Sequence, residues 1–339
     1  MDSDQWIVNL DLFREVFVAT GKIVVWAPGM DAAWISGISE GASRLGFSVF
    51  AASDRAAALE AAAEAEILFT QDSELCRKAR KLRWVCTPFA GVDNFLAPGV
   101  FANPDAVLTH SSGAYGVTIA EHVVMVVLEM MRRRAEYDEV IRRKGWRRDL
   151  HIDSIRGRRI TLLGTGDIGQ ECAKRLRAFG PARLAGVNRR GGNPEGLFDR
   201  ILTADRLEEI LPETDLLILS LPATAETQGI MSAGRLALLP AGARLVNVGR
   251  GSAVDQKALE RMLREGKLAG AALDVFEEEP IPAEDTIWDC PGLVITPHTA
   301  GNMTLDYTVE KIVSQFLEDL GNFAAGRPLR YAVDRERAY

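Results

Sequence analysis

Three polar residues, each a short distance beyond an apolar run, have side chains that could do acid–base chemistry on a carbonyl compound. Arg250, Glu279 and His298 follow three separate runs, so all three would meet at one edge of a parallel sheet. A guanidinium can hold a carboxylate and polarise a carbonyl, and an imidazolium can protonate a developing alkoxide. Hydride transfer to a 2-oxo acid requires such groups, with Arg250 in the first role and His298 in the second. Glu279 would orient His298 and, as a neighbouring negative charge, favour its protonated form.

Each of these residues also has a purely structural interpretation. An arginine after a strand is usually a surface charge, an acidic run is usually a solvated turn, and a histidine can simply end a strand. Arg250 lies between two glycines, where nothing else accounts for an exposed guanidinium. Glu279 directly precedes Pro280, which distinguishes it from the two glutamates before it. These positions favour the chemical interpretation.

A glycine-rich turn predicts where a dinucleotide would bind. Residues 158–169 run from a strand-like segment into Gly164-x-Gly166-x-x-Gly169 and then into helix-forming sequence. In such a turn Gly164 permits the tight bend, Gly166 lets the backbone approach a pyrophosphate, and Gly169 lets the helix pack closely on its strand. The free N–H groups of the helix that starts near Asp167 would face the phosphates.

The elements that must position these residues alternate between strands and helices, which predicts an α/β fold with parallel sheets. The expected architecture is two Rossmann-like, doubly wound parallel-sheet domains with a cleft between them. Strands are predicted at 22–27, 47–50, 66–69, 83–86 and 106–109, and then at 159–163, 183–187, 215–220, 244–248, 269–273 and 293–296. Long helices are predicted at 117–143 and 304–325.

The two series of strands indicate the domain organisation. We expect residues 1–112 together with 303–339 to form a substrate-binding, flavodoxin-like domain, and residues 113–302 to form the dinucleotide-binding domain. Two chain crossings between domains make a hinge, and ligands of such folds lie at the carboxyl ends of the strands. The cleft is therefore the expected place of the chemistry.

Composition excludes several function classes. The chain of 339 residues is 47% hydrophobic and 26% charged, with a formal net charge of −7, which argues against nucleic-acid binding. The longest apolar run, 123–128, is too short to cross a membrane, and a start containing Asp2, Asp4 and Asp11 does not resemble a secretory signal. Four widely spaced cysteines predict reduced thiols in a cytoplasmic protein and no metal site.

In the order and spacing of several motifs, the sequence resembles the D-isomer-specific 2-hydroxyacid dehydrogenases, and among them the glyoxylate/hydroxypyruvate reductases. The resemblance covers residues 80–305. It is carried by the glycine motif and by residues 89–94, 113–122, 248–251, 274–280 and 297–298.

This resemblance implies a catalytic triad of Arg250, Glu279 and His298. It implies that the backbone N–H groups of Ala90, Gly91 and Val92 hold the substrate carboxylate beside Arg250 and His298. Further cofactor contacts are implied for Asp167, Ile168, Leu221, Pro222, Thr227, Val248, Gly249, Asp274, Ala300 and Gly301. Val248 would lie beside the nicotinamide and Asp274 would bond its carboxamide. The resemblance also implies a homodimer joined through the cofactor domain, with the segment around Trp146 reaching across.

Cofactor choice is indicated by a departure from the NAD-binding pattern. An Asp or Glu about 20 residues after the glycines binds the ribose hydroxyl of NAD, but here the strand ends in Asn188, Arg189 and Arg190. A carboxylate would repel a 2′-phosphate, whereas an asparagine with two arginines would accept it, so NADP(H) is the preferred expectation. Alternatively, Arg189 stacks on adenine and NAD(H) is also used.

Two functional alternatives remain. A non-catalytic dinucleotide sensor of the corepressor type would keep the same triad, so the triad does not exclude it. A formate or phosphite dehydrogenase would need different residues near the carboxylate loop and His298. The favoured function is the reduction of a 2-oxo acid, with glyoxylate, hydroxypyruvate and larger 2-keto acids all possible substrates.

Overall fold

The computed structural model describes residues 21–193 and 195–335. Backbone contacts divide them into two compact units. The first holds residues 21–111 and 309–333, and the second holds the described residues of 112–308 with 334 and 335. Asp2, Asp4 and Asp11 lie outside the described residues.

Alternating strands and helices build the first unit. In chain order they are β1 (Lys22–Trp26), α1 (Ala32–Arg44), β2 (Ser48–Ala51), α2 (Arg55–Ala62), β3 (Ile67–Thr70), α3 (Glu74–Lys78), β4 (Trp84–Cys86) and β5 (Val107–Thr109). The strands pair in parallel in the order β2-β1-β3-β4-β5. Asp31 and Asp54 begin α1 and α2 by accepting hydrogen bonds from the exposed first-turn N–H groups.

The second unit repeats this architecture on a larger scale. Its elements are α4 (Gly116–Met131), α5 (Arg134–Arg142), β6 (Arg159–Leu163), α6 (Asp167–Arg177), β7 (Arg183–Asn188), β8 (Arg200–Thr203), α7 (Leu207–Ile210), β9 (Leu216–Leu219), α8 (Ala233–Leu236), β10 (Arg244–Asn247), α9 (Gln256–Arg264), β11 (Gly270–Leu273) and β12 (Leu293–Ile295). Helix α10 (Asp306–Ala324) follows, and from residue 309 it belongs to the first unit.

The strand order of the second unit indicates where a ligand would bind. The order is β12-β11-β10-β9-β6-β7-β8, and all of these pairs are parallel. The chain runs from β6 outward to β8, returns to β9 on the other side of β6, and then runs outward to β12. Ligands of such sheets bind at this reversal, outside the carboxyl ends of the strands. Both sheets are parallel and wound in two directions, which confirms the predicted α/β class.

One predicted helix is wrong as a single element. The helix expected at 117–143 ends at Met131, and α5 begins at Arg134. Between them Arg133 has a φ of 53°, a left-handed conformation that an α-helix cannot continue. Arg133 also pairs with Glu136 in the first turn of α5. No glycine or proline marks this break, so the sequence pattern did not reveal it.

A short strand was also missed. Strand β8 lies at the edge of the sheet and pairs with β7 alone, from Ala185 opposite Arg200 to Asn188 opposite Thr203. An edge strand needs apolar residues on fewer sides, so its signal in the sequence is weak. The final helix, predicted at 304–325, is observed as α10.

The cores consist mainly of aliphatic side chains, together with fully buried aromatic ones such as Trp84, Phe69 and Phe316. Strands β3 and β9 are buried at every position, as expected where helices cover both faces. Cys76, Cys86, Cys172 and Cys290 are all buried. Among the described residues, no helix has the length and apolar character needed to cross a membrane.

Candidate active site

The glycine turn lies between β6 and α6, at the reversal in the sheet. Gly164 has a φ of +102°, and a Cβ there would lie 2.8 Å from the Ser220 carbonyl oxygen at the end of β9. A Cβ on Gly169 would lie 2.2 Å from the Gly164 carbonyl oxygen, so α6 packs too closely on the turn for any side chain. Gly166 has no atom within 4 Å of its Cβ position.

This geometry fits a dinucleotide diphosphate. Gly166 is the residue before the first turn of α6, and Asp167 and Ile168 are the first helical residues. The N–H groups of a helix N-terminus, at a glycine with open space around it, suit a phosphate group that must approach the backbone.

The loops after β10, β11 and β12 meet at the same edge. Gly251 packs against the backbone of Phe276, where an added Cβ would lie 1.9 Å from the carbonyl carbon. The Gln256 N–H donates to Glu277 Oε1 at 3.1 Å, and the Glu277 N–H donates back to Gln256 Oε1 at 3.3 Å. The segment that carries Arg250 is therefore joined directly to the segment that carries Glu279.

Asp274 organises the turn that presents His298. Its carboxylate is 3% exposed and accepts from Thr296 Oγ1 at 2.6 Å, Thr299 N at 2.9 Å and Ala300 N at 3.0 Å. Its backbone carbonyl accepts from His298 N at 2.9 Å. This set of bonds holds His298 at a φ of 53°, a conformation that non-glycine residues rarely adopt. Thr296 and Thr299 were not singled out in the sequence, although both flank the Pro297-His298 motif.

His298 and Glu279 are hydrogen-bonded to each other, which is the pairing that the sequence predicted. His298 Nδ1 lies 2.7 Å from Glu279 Oε2, with the two side chains 50% and 34% exposed. The other carboxylate oxygen, Oε1, accepts from Phe276 N at 2.8 Å, which fixes the carboxylate plane. With Nδ1 bonded to a carboxylate, the imidazole must carry its proton there, and Nε2 is the nitrogen that can exchange a proton with a ligand.

Arg250 follows β10 as expected. It is half-buried, and one guanidinium nitrogen donates to the Gly249 carbonyl at 2.8 Å. Asn247 supports this loop from below, since its side chain donates to the Arg250 carbonyl at 2.9 Å and accepts from Gly249 N at 3.1 Å. Val248 is buried beside it, with its N–H bonded to the Leu219 carbonyl at 3.0 Å.

The loop after β7 shows what Asn188 does. Its Nδ2 donates to Thr165 Oγ1 at 2.7 Å and to the Gly192 carbonyl at 2.9 Å, and its Oδ1 accepts from Arg190 N at 3.0 Å and Gly191 N at 2.6 Å. The amide therefore ties the arginine loop to the glycine turn. Arg189 and Arg190 are both exposed at its tip.

The loop after β9 is held by its own threonine. Thr227 Oγ1 donates to the Pro222 carbonyl at 2.6 Å and accepts from Thr224 N at 2.9 Å. Leu221 lies against Gly249, whose added Cβ would be 2.6 Å from the Leu221 nitrogen. In the loop after β12, Gly301 packs against α4, where an added Cβ would lie 2.9 Å from Ile119 Cδ1.

His122 on α4 contacts the segment that carries His298. It is half-buried, and its Nε2 lies 3.3 Å from Thr296 Oγ1. Burial lowers the pKa of His122, against the smaller opposing effect of the Asp274 charge. The contact between His122 and Thr296 lies within the second unit.

The predicted carboxylate-binding loop, Ala90, Gly91 and Val92, lies in the first unit after β4. The Ala90 carbonyl accepts from His110 Nδ1 at 3.1 Å. Val92 is 3% exposed and anchors the loop in the core. Burial lowers the pKa of His110, opposed by its bond to Ala90, so the neutral ring supports the loop.

Comparison with known proteins gives a family. Residues 124–300 match the D-isomer specific 2-hydroxyacid dehydrogenase family, NAD binding domain. The glyoxylate reductase of Aeropyrum pernix is 32% identical over 293 residues, which are 82% of this chain and 85% of that protein. The D-3-phosphoglycerate dehydrogenase of Bacillus subtilis is 30% identical over 77% of this chain, and the chain spans 49% of its length.

Solved structures of related proteins are similar to this chain over nearly its whole length. A D-isomer specific 2-hydroxyacid dehydrogenase family protein from Aeromonas salmonicida is 32% identical, with a TM-score of 0.84 and coverage of 93% of this chain and 99% of that one. A D-isomer specific 2-hydroxyacid dehydrogenase from Xanthobacter autotrophicus, in complex with NADPH and MES, is 28% identical, with a TM-score of 0.79 and coverage of 95% and 100%. The chain therefore belongs to the D-isomer specific 2-hydroxyacid dehydrogenases, which transfer a hydride between a nicotinamide cofactor and a 2-oxo or 2-hydroxy acid.

Proposed function

We propose that the protein reduces small 2-oxo acids of the glyoxylate or hydroxypyruvate type to the D-hydroxy acid, with NADP(H) as its preferred cofactor. The observation that carries this proposal is the His298–Glu279 pair at 2.7 Å, at the carboxyl edge of a sheet that also presents the glycine turn. Such a pair is a general acid whose tautomer and direction are set by its carboxylate.

Each group has one task in this proposal. Arg250 holds the substrate carboxylate and polarises the adjacent carbonyl, with the N–H groups of Ala90, Gly91 and Val92 as further donors to the carboxylate. His298 Nε2 protonates the alkoxide as it forms, and Glu279 stabilises the positive ring before that transfer. When bound, the nicotinamide supplies or accepts the hydride. Val248, Gly249, Asp274, Ala300 and Gly301 form the surface that would hold that ring.

A panel of 2-oxo acids with each reduced cofactor tests this function. Loss of nicotinamide absorbance should depend on the 2-oxo acid, and the product should be the D-isomer. If the dinucleotide binds tightly and no 2-oxo acid accelerates its oxidation, the protein is instead a dinucleotide sensor of the corepressor type.

The cofactor preference is proposed from the arginine loop. Arg189 and Arg190 are exposed on a loop that Asn188 anchors to the glycine turn, so their guanidinium groups can reach a 2′-phosphate on the bound ribose. The NADPH found in the Xanthobacter autotrophicus structure supports this choice. Asn188 contributes by positioning the loop, because both of its side-chain ends are already bonded to protein atoms.

Replacement of Arg189 separates phosphate binding from adenine stacking. A charge-assisted hydrogen bond is worth about 1.5–3 kcal/mol, so Arg189→Ala should raise the KM for NADPH by about ten- to a hundredfold. The KM for NADH should hardly change. Arg261→Ala, at an exposed arginine on α9, controls for the loss of charge. Equal weakening of both cofactors would show stacking on adenine, and a wild-type preference for NADH would refute the NADP(H) proposal.

We propose further that the protein is a cytoplasmic homodimer joined through the second unit, without nucleic-acid partners. Trp146 is 91% exposed and Ile141 is 60% exposed, and both lie on one connected segment of that unit. Large apolar side chains with this exposure are typical of an interface. Light scattering should give twice the chain mass, and Trp146→Glu should shift the distribution to monomers. A wild-type monomer would refute the dimer. The four buried, widely spaced cysteines support a reducing compartment.

A further inference from the structure

A cavity of about 390 Å³ opens in the first unit, and all of its lining residues belong to that unit. It is lined mainly by Trp26, Arg55, Gln71, Asp72, Ser73 and Asn94. Trp26 ends β1, residues 71–73 follow β3, Arg55 begins α2, and Asn94 lies in the loop after β4. The chain leaves β1 for β2 on one side and returns to β3 on the other, so the cavity lies at the reversal of this sheet. That is the place where open α/β sheets bind ligands.

The wall combines one aromatic ring with planar polar groups. Trp26 is half-buried and packs on the core of the first unit, so its other side faces the cavity. Arg55 Nε bonds Asp72 Oδ2 at 2.6 Å, which makes the charged part of the wall neutral overall. An aromatic face covers C–H groups, and carboxylate, amide and guanidinium groups hydrogen-bond hydroxyls. A hydroxylated carbon chain has both kinds of surface.

One buried atom of a residue in the wall is left without a partner. Gln71 Oε1 is buried and has no hydrogen-bond partner among the described residues. A buried acceptor in this state costs stability, and native proteins rarely keep one without a reason. The last torsion of a glutamine side chain is soft, so the amide can turn its oxygen toward a hydroxyl that enters the cavity. A donor group in the ligand would satisfy it.

The cavity adjoins the loop proposed to hold the substrate carboxylate. Asn94 lies in the short helical turn Asp93–Phe95, directly after Val92, and its Nδ2 donates to the Gln71 carbonyl at 3.0 Å. That bond ties the carboxylate loop to the cavity wall within the first unit. A chain that extends from a carboxylate bound at residues 90–92 therefore has this cavity beside it.

We propose that the cavity receives the distal part of the substrate and selects 2-oxo acids whose chain carries hydroxyl groups over those with alkyl chains. This inference rests on the proposed reduction of 2-oxo acids. Because the Arg55–Asp72 pair is neutral overall, the selection is for hydroxyl groups and not for a second charge. Trp26 covers the carbon chain and Gln71 accepts from a hydroxyl.

Pairs of substrates with equal size test the selection. Hydroxypyruvate is compared with 2-oxobutanoate, and 4-hydroxy-2-oxobutanoate with 2-oxopentanoate, so that each pair exchanges a hydroxyl for a methyl. The hydroxylated member of the longer pair should have a kcat/KM at least about tenfold higher, since a site that bonds a hydroxyl rejects the analogue without it. Gln71→Leu should bring that ratio close to one. Gln228→Leu, at an exposed glutamine of the second unit, should keep the wild-type ratio.

Stability supplies a readout that does not depend on turnover. Gln71→Leu removes an unpaired buried oxygen, so its thermal midpoint should equal or exceed that of the wild type. D-gluconate, a hydroxylated acid that is not a 2-oxo acid, should raise the midpoint of the wild type more than hexanoate does, and this difference should vanish in Gln71→Leu.

The outcomes distinguish the two proposals. If the protein reduces glyoxylate but the two members of each substrate pair have the same kcat/KM, the cavity inference is overturned and the proposed function stays intact. Reduction of no 2-oxo acid, with D-gluconate still stabilising the wild type alone, would overturn the proposed function and keep a site for hydroxylated acids. Failure of both measurements would overturn both.

Discussion

Replacing Glu279 by Gln is the sharpest test of the proposed acid. In the native site Oε1 accepts from Phe276 N at 2.8 Å and Oε2 bonds His298 Nδ1 at 2.7 Å. A glutamine has one oxygen for these two donors. If the oxygen stays on Phe276 N, the amide NH₂ faces Nδ1 and the neutral ring must carry its proton on Nε2. If the amide turns, the Phe276 N–H loses its acceptor and faces a donor.

The magnitude follows from the bond that is lost. A hydrogen bond to a charged group contributes about 1.5–3 kcal/mol, which is about ten- to a hundredfold in rate. The exposed fractions of 50% for His298 and 34% for Glu279 favour the lower end, because solvent screens the pair. We therefore expect kcat/KM for a 2-oxo acid to fall at least about tenfold in Glu279→Gln, with little change in the affinity for NADPH.

The assay is steady-state oxidation of NADPH at varied 2-oxo acid, with the affinity for NADPH measured separately by fluorescence. Glu278→Gln is the matched control, since it makes the same charge change at the preceding exposed residue. If Glu279→Gln and Glu278→Gln have the same kcat/KM, the carboxylate does not act through His298 and the reasoning is refuted.

Three further changes are expected to have distinct effects. Arg250→Lys should raise the KM for the 2-oxo acid by about tenfold or more in steady-state assays, because an ammonium cannot make the paired bonds of a guanidinium; an unchanged KM would place the carboxylate elsewhere. Gly169→Ala should lower the thermal midpoint, because its Cβ would lie 2.2 Å from the Gly164 carbonyl oxygen. Gly166→Ala has no atom within 4 Å of its Cβ, so it should keep the midpoint but weaken NADPH binding, measured by titration. Equal midpoints for the two variants would contradict this expectation. Burial raises the pKa of the Cys172 thiol from 9.0 to about 12, so the unfolded chain releases this proton first and the free energy of unfolding falls as the pH rises above 9. In denaturant titrations over that range, Cys172→Ala should lose less stability than the wild type, by about 1.4 kcal/mol for each pH unit. An identical alkaline loss in both proteins would rule out this thiol.

The arrangement of elements could be predicted and the candidate site residues could be proposed from the sequence, because both depend on local patterns. Apolar runs of strand length alternate with helical segments, and burial on both faces of a parallel sheet requires that alternation. Gly164 and Gly169 were predicted because a tight turn and a close helix exclude side chains there, and Gly166 because a pyrophosphate must approach its backbone. The pair of Glu279 with His298 was expected from the types and positions of the two residues, and the structure brings them to 2.7 Å.

What the tertiary structure decided is how polar groups share their hydrogen bonds, since partners distant in the sequence compete for the same atoms. In the sequence Asn188 is a candidate cofactor ligand together with Arg189 and Arg190, but in the fold its amide bonds Thr165 and Gly192 and supports the arginine loop. Asp274 is bonded by Thr296 Oγ1 at 2.6 Å, which no pattern in the sequence indicates. The break at Arg133 and the unpaired oxygen of Gln71 likewise depend on packing around them, and packing is settled only when the whole chain has folded.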